Sequence, residues 1–238
     1  VDPFYMAVGF YKPPLPFTAP KRYWDLYERA QVKVSPMQRK PENAPPGAWH
    51  NSGEIRNWYT GIPSVPQPWT QNISEAETRS LTHGYYAAVS YTDAQIGKVL
   101  EALDKQGLSK NTIVIVSSDH GFSLGDHTLW NKHTLFNVAI QSPLIVRGPG
   151  TAIGTRVMGP VEYIDIFPSL LEMAGIKNPR HLEGKSFTQN LSDPTLPTKK
   201  FVYARYKAGE SISDQRFSYT AWLDREYSIT AVSYTHLT

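Results

Sequence analysis

Apolar and polar positions follow a period that changes from segment to segment along this chain. Phe4-Tyr5-Met6-Ala7-Val8-Gly9 is a nearly continuous apolar run, the pattern of a strand buried on both faces. Ile113-Val114-Ile115-Val116 and Pro143-Leu144-Ile145-Val146 repeat it. Before the second run, Leu81, Tyr85, Ala88, Ile96, Val99 and Leu103 recur at steps of three, four or their sum, which predicts one amphipathic helix. Ser74-Glu75-Ala76-Glu77 has the capping-box spacing at its start, and Gly107 is placed to end it. Gly84 and Gly97 each cost such a helix ~1 kcal/mol relative to Ala. One of them is expected to permit close packing against the sheet. A helix feeding a buried strand is half of a βαβ repeat, so the pattern predicts an α/β fold with a central, mostly parallel sheet.

The remaining segments are less regular. Lys21 to Arg29 predicts a short helix with Trp24, Leu26 and Tyr27 partly buried. Residues from about Val32 to Gln71 are rich in Pro, Asn, Gly and Trp without a sustained period, and are expected to cover one face as a functional loop. Val161 to Ala174 reads as a strand end or turn entering a helix that starts near Asp165, which puts Pro168 in the first turn; Gly175 is the stop. From Asn178 to Lys200 the composition is that of a linker, and 201–205 and 216–222 read as two antiparallel strands. A boundary is placed near Asp193, with 1–192 belonging to an α/β domain and 193–238 opening a smaller subdomain.

Composition narrows the function classes. Hydrophobic content of 40% with 12% aromatics supports a substantial core. The formal charge of +3 is weak and its basic residues scattered, so no nucleic-acid partner is expected. No apolar run approaches the ~20 residues of a membrane-spanning helix, so no membrane insertion is expected either. The absence of cysteine removes disulfides and a cysteine nucleophile from this stretch. The chain opens at Val1 without a signal-like segment and reads as part of a longer protein. Oligomeric state is not legible.

The candidate chemistry sits where the Ile113–Val116 run ends, at Asp119-His120-Gly121. In open α/β sheets, ligands lie outside the carboxyl ends of the strands. Adjacent strand residues point to opposite faces. Asp119 and His120 can therefore reach one metal ion only if the chain turns at once, which Gly121 makes cheap. The alternative is a turn with a satisfied carboxylate. Lys132 supplies a cation for an anionic substrate, and a metal plus a lysine is the minimum needed to bind and polarise a sulfate or phosphate ester. Lys12, in Lys12-Pro13-Pro14-Leu15-Pro16, lies either in a polyproline-type surface loop or in a strand-end loop beside a site. His127 reads as a loop-packing residue; His83, His133 and His181 have no spacing that implicates them. Phe122 and Trp130 suit stacking on a sugar ring or packing in the core.

Ser117-Ser118-Asp119-His120-Gly121-Phe122-Ser123-Leu124-Gly125-Asp126-His127, with Trp130 and Lys132, resembles the C-terminal metal-site motif of the type I, formylglycine-dependent sulfatases. The Asp-His pair is similar to the iduronate-2-sulfatase-like branch and its bacterial relatives, where most sulfatases have Asp-Asn. Gly9 to Pro20 with Tyr23-Trp24-Asp25-Leu26-Tyr27, then Gly84 to Gly97, Val161 to Gly175 and Leu182-Glu183-Gly184-Lys185-Ser186 agree in order and spacing. The resemblance covers roughly residues 1 to 225, and Val232 to Thr238 lies outside it.

The resemblance implies an alkaline-phosphatase-like α/β sandwich and a sulfuric ester hydrolase acting on a sulfated sugar, with a glycosaminoglycan uronate 2-O-sulfate as substrate class. Phosphodiesterase or phosphonate monoester hydrolase activity in the same superfamily is the enzymatic alternative, and a non-catalytic remnant the other. It implies that Asp119 and His120 bind Ca2+, a role chemistry alone would not give a histidine. It also implies that Lys132 contacts the sulfate, and a periplasmic, secreted or lysosomal setting. The formylglycine nucleophile and two further metal-binding aspartates are expected upstream of this chain, which is therefore expected to be inactive alone. Pro14 stands where the family usually has a sulfate-contacting histidine. Proline neither donates a hydrogen bond nor acts as an acid, so either the chemistry works without that group, or a neighbour such as Lys12 substitutes, or activity is altered.

Overall fold

The computed structural model describes residues 2–57, 73–224, 226 and 228–236. They form two compact units whose segments interleave along the chain. One comprises Val1–Pro41, Asn51–Gly107 and Ser123–Asn131; the other comprises Glu42–His50, Leu108–Phe122 and Lys132–Thr238.

The first unit is built on the long helix α3 (Glu75–Lys105), with α1 (Lys21–Trp24) and α2 (Gly53–Asn57) before it. The predicted capping box is formed: the Glu77 amide donates to Ser74 Oγ at 3.2 Å, and the Ser74 amide donates to Glu77 Oε2 at 3.1 Å. The helix ends at a Gln106 cap, with Gly107 in the left-handed region at φ 70°. The most buried part of α3 is its N-terminal half, including Thr78, Thr82, His83, Gly84, Ala87 and Ala88, whereas Ile96, Val99 and Leu103 are only half-buried. Gly84 does permit a close approach, but of the 17–24 segment and not of a sheet: an added Cβ would lie 2.9 Å from the Trp24 ring and 3.0 Å from Phe17 Cβ. His83 fastens the same segment. Its Nδ1 accepts from Arg29 Nε at 3.2 Å, which leaves Nε2–H to donate to the Trp24 carbonyl at 2.8 Å. The short strands β2 (Ser123–Leu124) and β3 (Trp130–Asn131) pair antiparallel, and Leu129 and Trp130 are buried in this unit.

Several expectations need correction here. Phe4–Gly9 forms no strand, and Phe4, Tyr5 and Met6 are exposed by 51%, 86% and 62%. A strand exists only where a neighbour takes its backbone groups, and no described strand pairs with this run. Leu26 is exposed because α1 stops at Trp24 and the following turn carries Leu26 outward. The irregular stretch from Val32 is more than a cover. Its described part contains α2 and buries Val32, Ala48, Trp49 and Ile55. The remainder, 58–72, lies outside the described residues.

The second unit carries β1 (Val114–Ser117) paired with β4 (Leu144–Arg147). This pairing is antiparallel, Val114 opposite Arg147 and Ser117 opposite Leu144, where the apolar pattern predicts parallel neighbours. Between the two strands the only helix in this unit is the four-residue α4 (Asn137–Ile140), too short for the crossover that parallel strands need. A single 3-10 turn at Tyr163–Asp165 leads into α5 (Ile166–Met173), so the helix starts where Pro168 requires, and Gly175 follows at φ 72°. After α6 (Thr188–Ser192), strands β5 (Val202–Tyr206), β6 (Gly209–Ser213), β7 (Phe217–Leu223) and β8 (Ile229–His236) form an antiparallel meander. It contains both predicted antiparallel strands and two more, and β8 runs on through Val232.

A buried ionic brace ties the start of β5 to the 162–165 turn. Lys199 Nζ pairs with Glu162 Oε2 and, at 2.7 Å, with Asp165 Oδ1, and Asp165 is 1% exposed. Glu162 Oε1 also accepts from the Tyr203 amide at 2.9 Å, and Asp165 Oδ1 from the Lys185 amide at 2.7 Å. Burial disfavours the Lys199 charge, but hydrogen bonds and charge from Asp165 and Glu162 outweigh it and hold the ammonium above its ordinary pKa.

Candidate functional site

At the carboxyl end of β1 the chain bends immediately, as the Asp-His spacing requires. Asp119 Oδ1 accepts from the His120 amide at 3.0 Å, and Ser118 Oγ donates to the His120 carbonyl at 2.8 Å. Tyr163 Oη donates to the Ser118 carbonyl, which anchors the bend to the turn before α5. Gly121 matters for a reason other than its conformational freedom. Its φ is ordinary, but an added Cβ would collide with the Val138 carbonyl of α4. Its amide donates to the Ala139 carbonyl at 2.8 Å. The glycine is needed for close approach of two backbones.

This bend brings the Asp119 and His120 side chains together, with His120 Nε2 3.2 Å from Asp119 Oδ2. His120 Nδ1 lies 2.8 Å from the Gly121 carbonyl, which accepts only from a protonated nitrogen. In the neutral imidazole the lone pair is therefore on Nε2, facing a carboxylate oxygen. Two acceptors so placed require a positive charge between or beside them, either a proton on the imidazole or a shared cation. Asp119 suits a hard cation, since its carboxylate is 82% exposed. Two side chains alone would make only part of a calcium shell, which takes roughly six to eight ligands. Among the described residues no group of three His, Cys, Asp or Glu is placed to hold a metal ion.

Lys132 is half-buried in the same unit as this pair, immediately after Asn131, whose φ of 76° turns the chain at the end of β3. Lys12 belongs to the other unit. Its ammonium donates to the Pro16 carbonyl and lies 6.0 Å from the Tyr11 ring centroid, and burial lowers its pKa. It braces its own proline-rich loop. His127 is held by loop contacts, its amide on the Met37 carbonyl at 2.5 Å and its Nδ1 3.2 Å from the Arg39 carbonyl. Trp130 is 2% exposed and Phe122 8%, so both pack in cores.

A second cluster escaped the sequence. His50 and His133 stand edge to face, ring centroids 5.6 Å apart at 81°. His133 lies 5.7 Å from the Tyr206 ring, and Lys207 Nζ 5.4 Å from that same ring. Burial first, then the charges of His133 and Lys207, push the His50 pKa down to about 4. These residues come from three distant segments, so no spacing rule joins them.

The described fold is alkaline-phosphatase-like. A solved phosphonate monoester hydrolase from Silicibacter pomeroyi is similar at TM-score 0.73, over 94% of this chain and 48% of its own, with 21% identity. A 2-O GAG sulfatase is similar at TM-score 0.62, over 91% of this chain and 50% of its own, with 19% identity. The family model that matches, over residues 2–176, is Sulfatase, and the chain belongs to the sulfatase family. A sulfatase from Formosa agariphila is 32% identical over 189 residues, 79% of this chain and 36% of the relative. Mouse iduronate 2-sulfatase is 32% identical over 217 residues, 78% of this chain and 38% of the relative. The chain thus spans less than half the length of these curated relatives. Membership implies, for the family in general, a formylglycine and a calcium ion. No helix among the described residues is long and apolar enough to cross a membrane.

Proposed function

We propose that the protein of which this chain spans a part hydrolyses sulfate esters of sugars, with a uronate 2-O-sulfate as the substrate class. The observation that carries this reading is the Asp119–His120 pair, an imidazole lone pair facing a carboxylate oxygen at 3.2 Å on a strand end that needs positive charge. Similarity to iduronate 2-sulfatase in sequence supports the substrate class. Asp119 and His120 are the residues of this chain that would hold a Ca2+ ion, which when bound would neutralise charge on the sulfuryl oxygens. Lys132 binds and orients the sulfate and stabilises the charge that builds on it. Lys12, the other cation expected to meet the substrate, has its ammonium on the Pro16 carbonyl of its own loop, and no step is assigned to it. Pro14 offers no proton, so the acid for the leaving alcohol lies elsewhere. The formylglycine nucleophile belongs to the rest of the protein, and the chain alone is inactive.

The same reading assigns 1–192 to the catalytic α/β part and 193–238 to the start of the smaller subdomain. The meander from β5 onward supports it, although the Lys199 brace reaches back across that boundary. The test is an assay of the full-length gene product, matured for formylglycine, on sulfated and phosphorylated aryl esters. Sulfate preference is expected, with a drop of about a hundredfold or more in kcat/KM for Lys132→Ala. A clear phosphoester preference, or a Lys132→Ala enzyme as fast as the parent, overturns the proposal.

A further inference from the structure

The cluster of His50, His133, Tyr206 and Lys207 is assembled with care for backbone geometry. Lys207 occupies the β5–β6 turn at φ 52°, a left-handed conformation that costs any residue but Gly, Asn or Asp. The turn runs close against the 132–136 segment: a Cβ on Gly209 would lie 2.8 Å from Leu135 Cδ1. Trp49 packs on Phe136 with centroids 5.6 Å apart, and Gly47 leaves room only for the Trp222 ring. These contacts bring residues 47–50, 132–136 and 206–209 of one unit together. The first and last segments each deliver one basic side chain, His50 and Lys207, and the middle one delivers two, Lys132 and His133.

We propose that His50, His133 and Lys207 form a subsite for a second oxyanion group of the substrate, a carboxylate or a further sulfate, beside the group held by Lys132. The proposal rests on the sulfate-ester reading of Lys132. His133 and Lys207 oppose a charge on His50, and an anion among the three reverses that balance. Lys207 supplies the permanent charge. The imidazoles supply directed N–H donors, and the Tyr206 ring forms an apolar wall on which His133 and the lysine stem rest. Repulsion from Lys207 and His133 already works with burial to keep His50 uncharged, so the anion's arrival has a measurable consequence at that ring. A substrate carrying one anionic group would leave this subsite unused.

The experiment is an NMR titration of the histidine ring resonances of the full-length protein with sodium acetate and with sodium sulfate, at constant ionic strength in sodium chloride. Saturable shifts at His50 and His133 are expected, with the His50 pKa rising from about 4 toward its ordinary range in the bound form. Lys207→Asn removes the charge with a residue that tolerates the left-handed turn, and is expected to weaken binding roughly tenfold, while Lys207→Arg retains it. Tighter acetate binding identifies a carboxylate as the natural group and tighter sulfate binding a second sulfate. Linear, non-saturating shifts, or equal affinity in Lys207→Asn, overturn the subsite. Neither probe is hydrolysed, so that failure leaves sulfate-ester hydrolysis standing, whereas phosphoester preference in the activity assay overturns the sulfate-ester reading while saturable binding here would keep the anion subsite.

Discussion

The β1 strand end and the histidine cluster use the same functional group to opposite electrostatic ends. His120 sits against a carboxylate, on a bend made by consecutive residues. His50 sits among basic groups contributed by separate segments. The first arrangement is met by a proton on the imidazole or by the proposed cation, and the second is where we propose an anion. The difference lies in what fixes each imidazole. Local backbone hydrogen bonds from Ser118 to Gly121 set the strand end, whereas tertiary packing of a hairpin turn sets the cluster. If so, the two should fail independently, under different substitutions.

The largest expected effect concerns the brace beneath the hairpin. Lys199→Met leaves the carboxylates of Asp165 and Glu162 buried without their counter-charge, and is expected to cost about 3–5 kcal/mol. Urea denaturation measures it, with β5 losing its Glu162 anchor and the cluster its alignment. A loss under 1 kcal/mol would mean the brace is solvated in solution. Gly121→Ala is the strand-end counterpart. The added Cβ meets the Val138 carbonyl, so β1 must part from α4 at a cost of about 1–3 kcal/mol. Calcium uptake by the full-length protein, followed calorimetrically, should weaken with it while the His50 ring resonance stays in place. A shifted His50 resonance would show the two regions coupled.

That independence also explains what was legible in the sequence. Ser74 and Glu77 announce the start of α3 because a capping box is complete within four residues. Asp119, His120 and Gly121 announce the bend for the same reason, although Gly121 proved necessary for close approach to α4 and not for its φ. Apolar runs announce strands but not their partners. Val114–Ser117 and Leu144–Arg147 pair antiparallel, and Phe4–Gly9 pairs with no described strand. Pairing is a property of two segments, and no run encodes its neighbour. His50 and His133 were illegible for that reason in stronger form, since each gains its meaning only from the other and from Lys207.

A third prediction sharpens the electrostatic half of the comparison. The His50 pKa stands near 4 in the folded chain against 6.5 for an unperturbed histidine. Between these values the unfolded chain holds a proton at this position that the folded chain does not, so folding stability contributed here falls as pH falls from 6.5 toward 4. At ~1.4 kcal/mol for each tenfold change in proton concentration, discounted for partial exposure, the loss is on the order of 2 kcal/mol. Comparing denaturation midpoints of wild type and His50→Gln across that window isolates the contribution of this one ring. The variant's curve should be flatter in acid; parallel curves would mean that His50 is neither buried nor repelled as its neighbours dictate.

The smallest effect is the one that calibrates the others. Ser74→Ala removes the side-chain acceptor for the Glu77 amide at the start of α3, in the unit that holds neither site. The cost is about 1 kcal/mol, because one orphan helix donor returns to water and the Glu77 carboxylate loses its hydroxyl partner. It should appear as a lower denaturation midpoint with the His50 titration and calcium uptake unchanged. A general loosening of the fold would disturb all three readouts together. Only if Ser74→Ala moves stability alone do the local losses expected for Gly121→Ala and Lys199→Met count as properties of the strand end and of the hairpin, for a stability loss shared by every variant would otherwise mimic both.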